Sequence, residues 1–522
     1  MKKHISWLLL LVLLLNCVAV VPASAETPKL TFFTALGGKV SEQLTSWNDI
    51  ACWPYIEEKL NVDIEFQHPA VGSESESFSL MLTQSVLPDI ISGEWRTFQG
   101  VGAQKAIDDG LIIPLNDLLE EHAPNFMKLM EDNPEWKRQA TTDEGVFYGF
   151  PYIYQSRLAN SFVGFQIRQD WLDKLDLTMP ANIDEWYSVL KAFKENDLNG
   201  NGEADEIPFA PSPNHNRISA FKLAYGLSPY FNGFYLDKNG KVQHTYLAEE
   251  YASYLKTMAA WYAEGLIDPE YITLDRNMLT SKMTSNLVGS TYAGYGMGFL
   301  GNWTSIMRNA GDEDYFLVGS VFPETADGVA HGYSDLYVTP SFYAISADCK
   351  NPELAVQLFD YLYSPEGHYV INFGPDETVY EVVDGKAVYK DSALIIGNTG
   401  LPIDGVLVQQ GMACNGGPFV QDEAYARLVV STYEGQAIAA ENYMKADIDW
   451  MIPAISHSSE ESSELSTIIT DMETLMNEFE TKVIMGLDSV DNLPAMLENV
   501  KSMGIERAIE LKQNAVDRYF SR

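Results

Sequence analysis

Cysteine is scarce in this sequence, which contains only Cys17, Cys52, Cys349 and Cys414 among its 522 residues. They are too few and too scattered for a disulfide framework. One bridge or buried free thiols remain, and we expect free thiols. The sequence has no CxxC pair and no Cys/His cluster, which argues against a zinc site.

Basic residues are also few, with 34 Lys and Arg against 73 Asp and Glu, so the formal net charge is −39 at pH 7. Such a surface repels nucleic acid and anionic membranes, and this excludes both as partners. A polyanionic ligand is disfavoured for the same reason, although Arg96 or another local base would override the net field. Charge alone indicates nothing about the fold.

The common catalytic signatures are missing. No GxSxG, HExxH, CxxC or Walker motif occurs in the sequence. Pairs of carboxylates, which glycoside hydrolases use, cannot be judged from composition because any acidic chain contains them. A secreted carbohydrate-active enzyme therefore stays open as an alternative to a binding protein, as does a sensor or adhesin.

Long apolar runs are absent except over residues 7–21, which follow two lysines and precede the Ala-Ser-Ala triplet at 23–25. This order predicts a secretory signal peptide over residues 1–25, cleaved before Glu26. An uncleaved anchor is an alternative, but the run is short for a bilayer. Lipidation of Cys17 is another, although Asn16 stands where a lipoprotein signal needs a small residue. We expect an extracytoplasmic protein, secreted or at the cell surface or in the periplasm.

Helical and strand patterns alternate along the mature chain. Strand patterns occur at 29–34, 62–66 and 87–91, and helical patterns at 53–60 and 104–109. This alternation predicts an α/β fold with mainly parallel sheets. The C-terminal region is predicted to be mostly helical, with helices over 464–486, 491–503 and 506–519.

Six phrases, in this order along the chain, resemble the extracellular solute-binding proteins of family 1, the sugar receptors of ABC-type importers. The Asp-Trp-Leu-Asp-Lys-Leu run at 170–175 is most similar to the longer, oligosaccharide-binding branch, which includes receptors for alginate oligosaccharides. Each phrase alone is weakly specific, whereas the ordered set is strongly so. They lie at residues 87–91, 108–125, 143–152, 167–209, 261–270 and 351–374.

The resemblance implies a two-lobed, class II periplasmic-binding-protein-like fold with ligand in the cleft between two α/β lobes. It implies an N-terminal lobe of residues 26–155 plus 344–416 and a C-terminal lobe of residues 156–343 plus 417–522. A permease would recognise the closed form of such a receptor. We expect a monomer whose partners are an oligosaccharide and the permease subunits of an ABC importer.

The loop at residues 93–100 is the first candidate for ligand contact. It follows the buried strand pattern LPDII, and ligands of open α/β sheets bind at the carboxyl ends of strands. Sugars need aromatic platforms together with hydrogen-bonding side chains. We predict that Trp95 stacks on a sugar ring while Arg96 and Gln99 bind hydroxyls or a carboxylate. The alternative is that Trp95 only fixes the loop to its lobe.

Other aromatic residues are candidates for the same cleft. Tyr152 and Tyr154 lead into the first implied crossover, and Trp303 ends a glycine-rich stretch that begins at Gly294. Trp47 and Asn48 lie just past the first strand, where the family often places a ligand-contacting loop.

Three further tryptophans lie on helical patterns and are predicted to be core residues. They are Trp171, Trp186 and Trp261. Arg168 and Asp170 are expected to pair with each other.

Residues 196–208 (NDLNGNGEADEIP) have the pattern of a calcium loop. Numbered from Asp197, oxygen donors stand at the first, third, fifth, seventh and ninth positions, and Gly202 allows a sharp turn at the sixth. The twelfth position is Pro208, so this is not an EF-hand sensor, and Glu206 must fold back to close the shell. The alternative is a polar turn that caps the preceding helix. The predicted ligands are Asp197, Asn199, Asn201, Glu203, Asp205 and Glu206.

The predicted Ca²⁺ is structural, because no nucleophile or histidine accompanies the loop and the ion would clip a flexible segment. Taken with the resemblance, these features predict a non-catalytic receptor that captures an oligosaccharide and delivers it to an ABC-type importer.

Overall fold

The computed structural model describes residues 27–213, 217–230, 232–296, 299–390 and 407–522. The predicted signal peptide and Cys17 lie outside these ranges. The described strands are β1 (Lys29–Phe33), β2 (Asp63–Gln67), β3 (Ile90–Gly93), β4 (Phe150–Tyr154), β5 (Val163–Arg168), β6 (Ile207–Phe209), β7 (Phe234–Leu236), β8 (Val242–His244), β9 (Val288–Gly294), β10 (Leu317–Gly319), β11 (Val338–Ile345), β12 (Tyr380–Val383), β13 (Lys386–Tyr389) and β14 (Val420–Gln421).

Two sheets form the centres of two lobes. A six-stranded sheet has the order β14-β4-β11-β3-β1-β2, and a four-stranded sheet has the order β10-β5-β9-β6. Two small hairpins, β7-β8 and β12-β13, accompany them.

Both main sheets are mixed. Parallel pairing predominates in the larger sheet, as predicted, but the prediction is wrong for the smaller sheet, where two of three pairings are antiparallel. In the larger sheet β1 runs parallel to β2 and β3, and β14 runs parallel to β4, but β11 is antiparallel to both β3 and β4. In the smaller sheet β5 is antiparallel to β9 and β10. The crossovers explain the mixed strand directions of the larger sheet, because β4 and β14 lead the chain out of this lobe whereas β11 brings it back.

Helices surround both sheets. They are α1 (Gly38–Ser41), α2 (Cys52–Leu60), α3 (Glu74–Met81), α4 (Ala103–Asp108), α5 (Asn116–His122), α6 (Pro124–Asp132), α7 (Pro134–Ala140), α8 (Arg157–Asn160), α9 (Gln169–Lys174), α10 (Ile183–Glu195), α11 (Glu250–Ala263), α12 (Arg276–Thr284), α13 (Leu300–Asn309), α14 (Pro352–Leu362), α15 (Pro365–Phe373), α16 (Glu423–Thr432), α17 (Glu434–Met444), α18 (Ser459–Ile484), α19 (Leu493–Met503) and α20 (Ile505–Ser521). Within the described ranges, no helix has both the length and the apolar character needed to cross a bilayer.

The C-terminal helices α18, α19 and α20 confirm the three helices predicted there. A capping box starts α18, since the Ser458 hydroxyl accepts from the backbone of Glu461 and the Glu461 carboxylate accepts from the backbone of Ser458. Buried apolar residues of these helices pack into the core of the second lobe.

Each lobe has its own hydrophobic core. Phe32, Ile90 and Phe150 belong to the first core. Phe165 and Tyr292 belong to the second.

The three tryptophans predicted to be core residues are all buried in the second core, which confirms that prediction. Arg168 and Asp170 form the predicted pair, with the guanidinium Nη2 2.6 Å from a carboxylate oxygen.

Two strands bear on the predicted division into lobes. All of β11 and all of β14 lie in the six-stranded sheet, whereas the predicted boundaries assign part of β11 and the whole of β14 to the second lobe. The position of these strands favours ending the second lobe's first segment before Val338. The division by residue number stays a prediction.

Candidate functional site: a cavity between the lobes

A cavity of about 640 Å³ lies between the two sheets. Thr34, just after β1, and Ser92 on β3 contribute to it from the first lobe. The ends of β9 and β5 contribute from the second lobe through Gly294, Tyr295 and Phe162. The cavity therefore lies at the carboxyl ends of β1, β3 and β9, where ligands of open α/β sheets bind.

Strand β4 places two tyrosines on the cavity wall. Side chains two residues apart on a strand point to the same face, so Tyr152 and Tyr154 both face the cavity while Ile153 is buried in the core. Their rings meet edge to face, with centroids 5.2 Å apart. Burial raises the pKa of both hydroxyls, which therefore stay neutral hydrogen-bonding groups.

The opposite wall is also aromatic. Tyr295 follows β9 directly and donates from its hydroxyl to the carbonyl oxygen of Leu158 at 2.9 Å. Phe299 lines the cavity and packs edge to face on the buried Trp303, with ring centroids 5.7 Å apart. The two walls thus present aromatic rings toward the space between them.

Small polar groups complete the lining. Thr34, Ser92 and Ser341 supply hydroxyls, and Asn415 and Gln421 supply amides. Among the described residues that line this cavity there is no Asp, Glu, Lys, Arg or His. The site is built from aromatic faces and neutral hydrogen-bonding groups.

A second cavity of about 530 Å³ shares Thr339 with the first. Tyr230, Tyr333 and Trp450 line it, and the Trp450 ring stacks on Tyr230 at 26° and 6.3 Å. Asp335 also faces this space and accepts a hydrogen bond from the Tyr333 hydroxyl. Burial raises the pKa of the Asp335 carboxyl. Aromatic surface therefore extends beyond the first cavity.

Three of the predicted ligand residues line the first cavity. Tyr152 and Tyr154 do so from β4, and Trp47 does so from the short 3-10 helix Trp47–Asp49. The Trp47 indole is stacked on Trp53 at 5.6 Å, and its nitrogen donates to the Leu36 carbonyl oxygen, so little more than its edge is offered to the cavity.

Trp95 lies in the core of the first lobe and not at either cavity. Its side chain is fully buried between Phe78 and Phe98, and its indole nitrogen donates to the Ile91 carbonyl oxygen at 3.0 Å. The backbone explains this, since Thr97, Phe98 and Gln99 have non-helical φ and ψ values that turn the loop back on its lobe. This position does not fit the predicted stacking role and matches the alternative, a side chain that fixes the loop.

Arg96 and Gln99 are also placed differently from the prediction. The Arg96 Nη2 donates to the carbonyl oxygens of Gln139, Val338 and Thr339, at 3.2, 2.7 and 2.9 Å. The guanidinium borders the second cavity but not the first. Gln99 is exposed, with a left-handed φ of 49°, and borders neither cavity.

Trp303 and Asn48 do not line either cavity. Trp303 is fully buried on α13 and donates to the Thr280 hydroxyl at 3.2 Å. Asn48 is exposed and donates its amide to the Ile64 carbonyl oxygen. The glycine-rich stretch named from the sequence borders the first cavity through Gly294, Gly296 and Phe299, and not through Trp303.

Several cavity residues were missed, namely Phe162, Tyr295, Phe299, Tyr343, Tyr230 and Trp450. One signal could have found Tyr295, because it directly follows a buried strand that ends at Gly294. Tyr343 lies on β11, whose place beside β3 depends on a long-range crossover and leaves no local signal.

The loop at 197–206 is compact and does not line the first cavity. Asp197 accepts backbone hydrogen bonds from Gly200, Asn201 and Gly202 at 2.7, 3.2 and 2.9 Å. Gly202 has a φ of 87°, the sharp turn that the sequence predicts. Glu206 folds back as predicted, since its Oε1 accepts from the backbone of Leu198 at 2.6 Å.

The donor set of this loop fits a hard cation in part. The Glu206 Oε2 is buried and has no hydrogen-bond partner. Each side chain of the predicted ligand set offers a carboxylate or amide oxygen, the kind of ligand that Ca²⁺ prefers. In this structure Asn199 and Asn201 direct their amide nitrogens toward Asp205, at 3.0 and 3.1 Å. Within the described ranges, no three acidic, His or Cys side chains converge on one point.

A sequence model of the family described as bacterial extracellular solute-binding protein matches residues 38–369. Among curated proteins, the chain is similar to the fructooligosaccharide ABC transporter substrate-binding protein FusA of Streptococcus pneumoniae serotype 4, with 34% identity over 215 residues. The matched segment spans 40% of this chain and 40% of that relative.

Solved structures extend the likeness to nearly the whole chain. The alginate-binding protein AlgQ2 without calcium ion is 26% identical, with a TM-score of 0.74 over 95% of this chain and 99% of that one. An EF-hand mutant of Streptococcus pneumoniae FusA in complex with fructo-nystose is 20% identical, with a TM-score of 0.71 over 94% of this chain and 99% of that one. The second likeness shows the fold alone, and together they confirm the predicted two-lobed α/β architecture.

Proposed function

Because the chain belongs to the family of bacterial extracellular solute-binding proteins, we propose that it captures an oligosaccharide between its lobes and delivers it to an ABC-type importer. The observation that carries this proposal is the aromatic, uncharged cavity of about 640 Å³ between the two sheets. The relatives are binding proteins for ABC transporters and not enzymes, which confirms the prediction that the chain is not catalytic.

The chemistry of the cavity suits a sugar. Pyranose and furanose rings offer apolar C–H faces that pack on aromatic rings, and their hydroxyls bind neutral polar groups. Tyr152 and Tyr154 supply the first kind of contact from one wall and Tyr295 and Phe299 from the other. The second cavity, which meets the first at Thr339, gives room for more than one sugar unit and favours an oligosaccharide.

The crossovers suit a receptor that closes on its ligand. β4, β11 and β14 lie side by side in one sheet, so the chain passes between the lobes three times at one edge of the molecule. Three adjacent crossovers act as a hinge whose bending closes the cavity. We expect the closed monomer to be what the permease subunits recognise.

The extracellular family indicates an extracytoplasmic location. Cleavage of a signal peptide before Glu26 is part of the proposal, with lipidation of Cys17 as the alternative route to the cell surface. Both residues lie outside the described ranges.

The loop at 197–206 is proposed to bind Ca²⁺ through Asp197, Asn199, Asn201, Glu203, Asp205 and Glu206. The inward fold of Glu206 and its unpartnered buried oxygen support this, because a carboxylate oxygen without a hydrogen-bond partner is costly to bury. When bound, the ion would neutralise the acidic side chains of the loop and would take no part in a reaction. The loop joins α10 to β6 within the second lobe, so the ion would stiffen the scaffold and not contact the sugar.

A glycan screen tests the proposed function. The chain from Glu26 onward would be titrated calorimetrically with neutral and acidic oligosaccharides, and each mixture would be analysed for products. Saturable binding without product release is the expected result. Steady hydrolysis of a glycan, or the absence of binding to every glycan, would contradict it.

A further inference from the structure

The charge of the cavity walls limits what kind of sugar can enter. Among the described residues, the walls of the first cavity carry aromatic rings, hydroxyls and amides but no ionisable acid or base other than tyrosine and cysteine. A carboxylate buried there would lose its hydration without gaining a counter-charge. For a fully buried carboxylate, this loss lowers the binding constant by several orders of magnitude. Hydroxyls do not incur this cost, because the lining offers neutral partners.

The base predicted to bind a ligand carboxylate does not line the first cavity. Arg96 packs against the face of β11 that bears Phe342, with its guanidinium carbon 5.5 Å from that ring centroid. The cavity instead faces Thr339, Ser341 and Tyr343 on the other side of the same strand. Three carbonyl oxygens already occupy the Arg96 Nη2. Strand alternation therefore separates this base from the first cavity.

The charged group that acts on Tyr154 is negative. Burial raises the pKa of the Tyr154 hydroxyl, and the Asp335 carboxylate adds to that rise. The whole chain also carries a formal charge of −39. Local and global fields thus act in the same direction, against an anionic ligand.

We infer that the first cavity holds an uncharged sugar unit of the ligand and excludes uronic-acid units such as those of alginate, because Arg96 and Lys512 border the second cavity and not the first. This inference rests on the proposed function and names the substrate class of the same site. It separates this chain from its alginate-binding structural relative despite their shared fold.

A matched pair of ligands tests the inference. The neutral glycan that binds best in the screen is oxidised at its primary hydroxyls, which converts them into carboxylates and leaves ring and linkage unchanged. Calorimetry should show a loss of affinity on the order of 100-fold for the oxidised form, equal to about 2.8 kcal/mol at about 1.4 kcal/mol per tenfold. The affinity of the neutral form should not change between about 0.05 and about 0.5 M NaCl, because no charge is screened.

An added base should reverse the preference. Ser341→Lys places a cation on the cavity wall, and Ser341→Met is its control of similar length without charge. The lysine variant should bind the oxidised glycan at least about tenfold more tightly than the methionine variant. Lys39→Met is included, because Lys39 and Arg217 are the Lys and Arg residues beyond residue 26 whose side chains lie outside the described part of the structure.

The outcomes separate the inference from the function it rests on. Equal or tighter binding of the oxidised glycan, or a screen in which only uronic-acid oligosaccharides bind, would overturn the inference and leave the receptor proposal intact. If oxidised-glycan binding is lost in Lys39→Met, the inference is overturned and Lys39 is identified as the counter-charge. Absence of binding to any glycan would overturn the receptor proposal and the inference with it.

Discussion

Strand β4 and the loop at 93–100 both carry aromatic residues that the sequence predicts to contact ligand, but those of β4 line the cavity whereas Trp95 is buried in the core. The regular alternation of β4 turns Tyr152 and Tyr154 together toward the cavity. The irregular backbone of the loop turns Trp95 into the core, where it is fully buried.

The difference shows that an aromatic residue at the carboxyl end of a strand is a ligand candidate only if its backbone directs it outward. The polar loop at 197–206 lines neither cavity, and we propose a scaffold role for it. Glycan binding and folding stability should therefore respond to different mutations.

The largest expected effect is on stability. Trp95→Ala should lower the free energy of unfolding by about 3–5 kcal/mol, because it leaves a large cavity in the first core and removes the indole bond to Ile91. Urea denaturation followed by circular dichroism measures this loss.

The control is Trp95→Phe, which keeps most of the packing and should be less destabilised. Glycan affinity of the folded Trp95→Ala protein should change by less than about threefold. If Trp95→Ala kept the stability of the wild type but lost glycan affinity, Trp95 would be a ligand-binding residue and this account would be wrong.

The next effect concerns the proposed calcium loop. Removal of Ca²⁺ with a chelator should destabilise the protein by about 3 kcal/mol if the ion is present at about 100 times its dissociation constant. Calorimetric melting with and without chelator measures it, and glycan affinity should stay the same.

Asp197→Ala should abolish the response to chelator. Asp237→Ala is the matched control, because Asp237 also accepts two backbone hydrogen bonds in an exposed turn, from Asn239 and Lys241. An equal melting temperature with and without chelator, and no metal in the purified protein, would refute the calcium site.

A smaller free-energy change is expected at the cavity itself. Tyr154→Ala should weaken glycan binding by about 10- to 100-fold, since it removes an aromatic platform from the wall. Its effect on unfolding should be smaller than that of Trp95→Ala, because Tyr154 is partly exposed whereas Trp95 is fully buried.

Tyr154→Phe separates the ring from the hydroxyl and should retain most of the affinity. Phe520→Ala, which removes a ring that is 62% exposed and far from the cavity lining, should bind normally. Wild-type affinity in Tyr154→Ala would remove this wall from the site.

The smallest effect is on the pH dependence of stability. Burial, assisted by nearby Lys512 and opposed by Glu461, lowers the pKa of His457 to about 4. Between the unfolded value of about 6.5 and about 4, the unfolded chain binds a proton that the native state does not. The contribution of His457 is therefore complete above about pH 6.5 and is lost as the pH falls toward about 4.

His457→Gln should reduce the difference in unfolding free energy between about pH 7.5 and about pH 5 by about 1–2 kcal/mol. His244, whose pKa burial lowers to about 3, should preserve part of the wild-type dependence. Identical pH profiles for variant and wild type would contradict the assignment.

Much of the fold could be predicted from the sequence because its signals are local. The periodicity of residues 53–60 matches α2, and the strand patterns at 29–34 and 62–66 match β1 and β2. Trp186 on α10 is buried as its helical position indicates. The order of strands and the mixed direction of both sheets depend on the crossovers, which bring together residues as distant as β3 and β11.

The site was predicted less well for a physical reason. Tyr152 and Tyr154 lie on a regular strand, where alternation fixes the direction of each side chain. Trp95 lies where Gln99 takes a positive φ, and Trp303 lies on a helix whose buried face was not evident from a glycine-rich run. Side-chain direction in irregular backbone is set by tertiary packing, and no local pattern reports it.

Hydrogen exchange on binding of a neutral oligosaccharide tests the central claim most directly. Backbone amides of β4, of residues 294–296 and of residues 415–417 should exchange more slowly in the complex, because they border the cavity. Amides of residues 93–95 and 197–206 should be unaffected, because these residues border neither cavity. Slower exchange confined to either of those two loops, with no change along β4, would contradict the account.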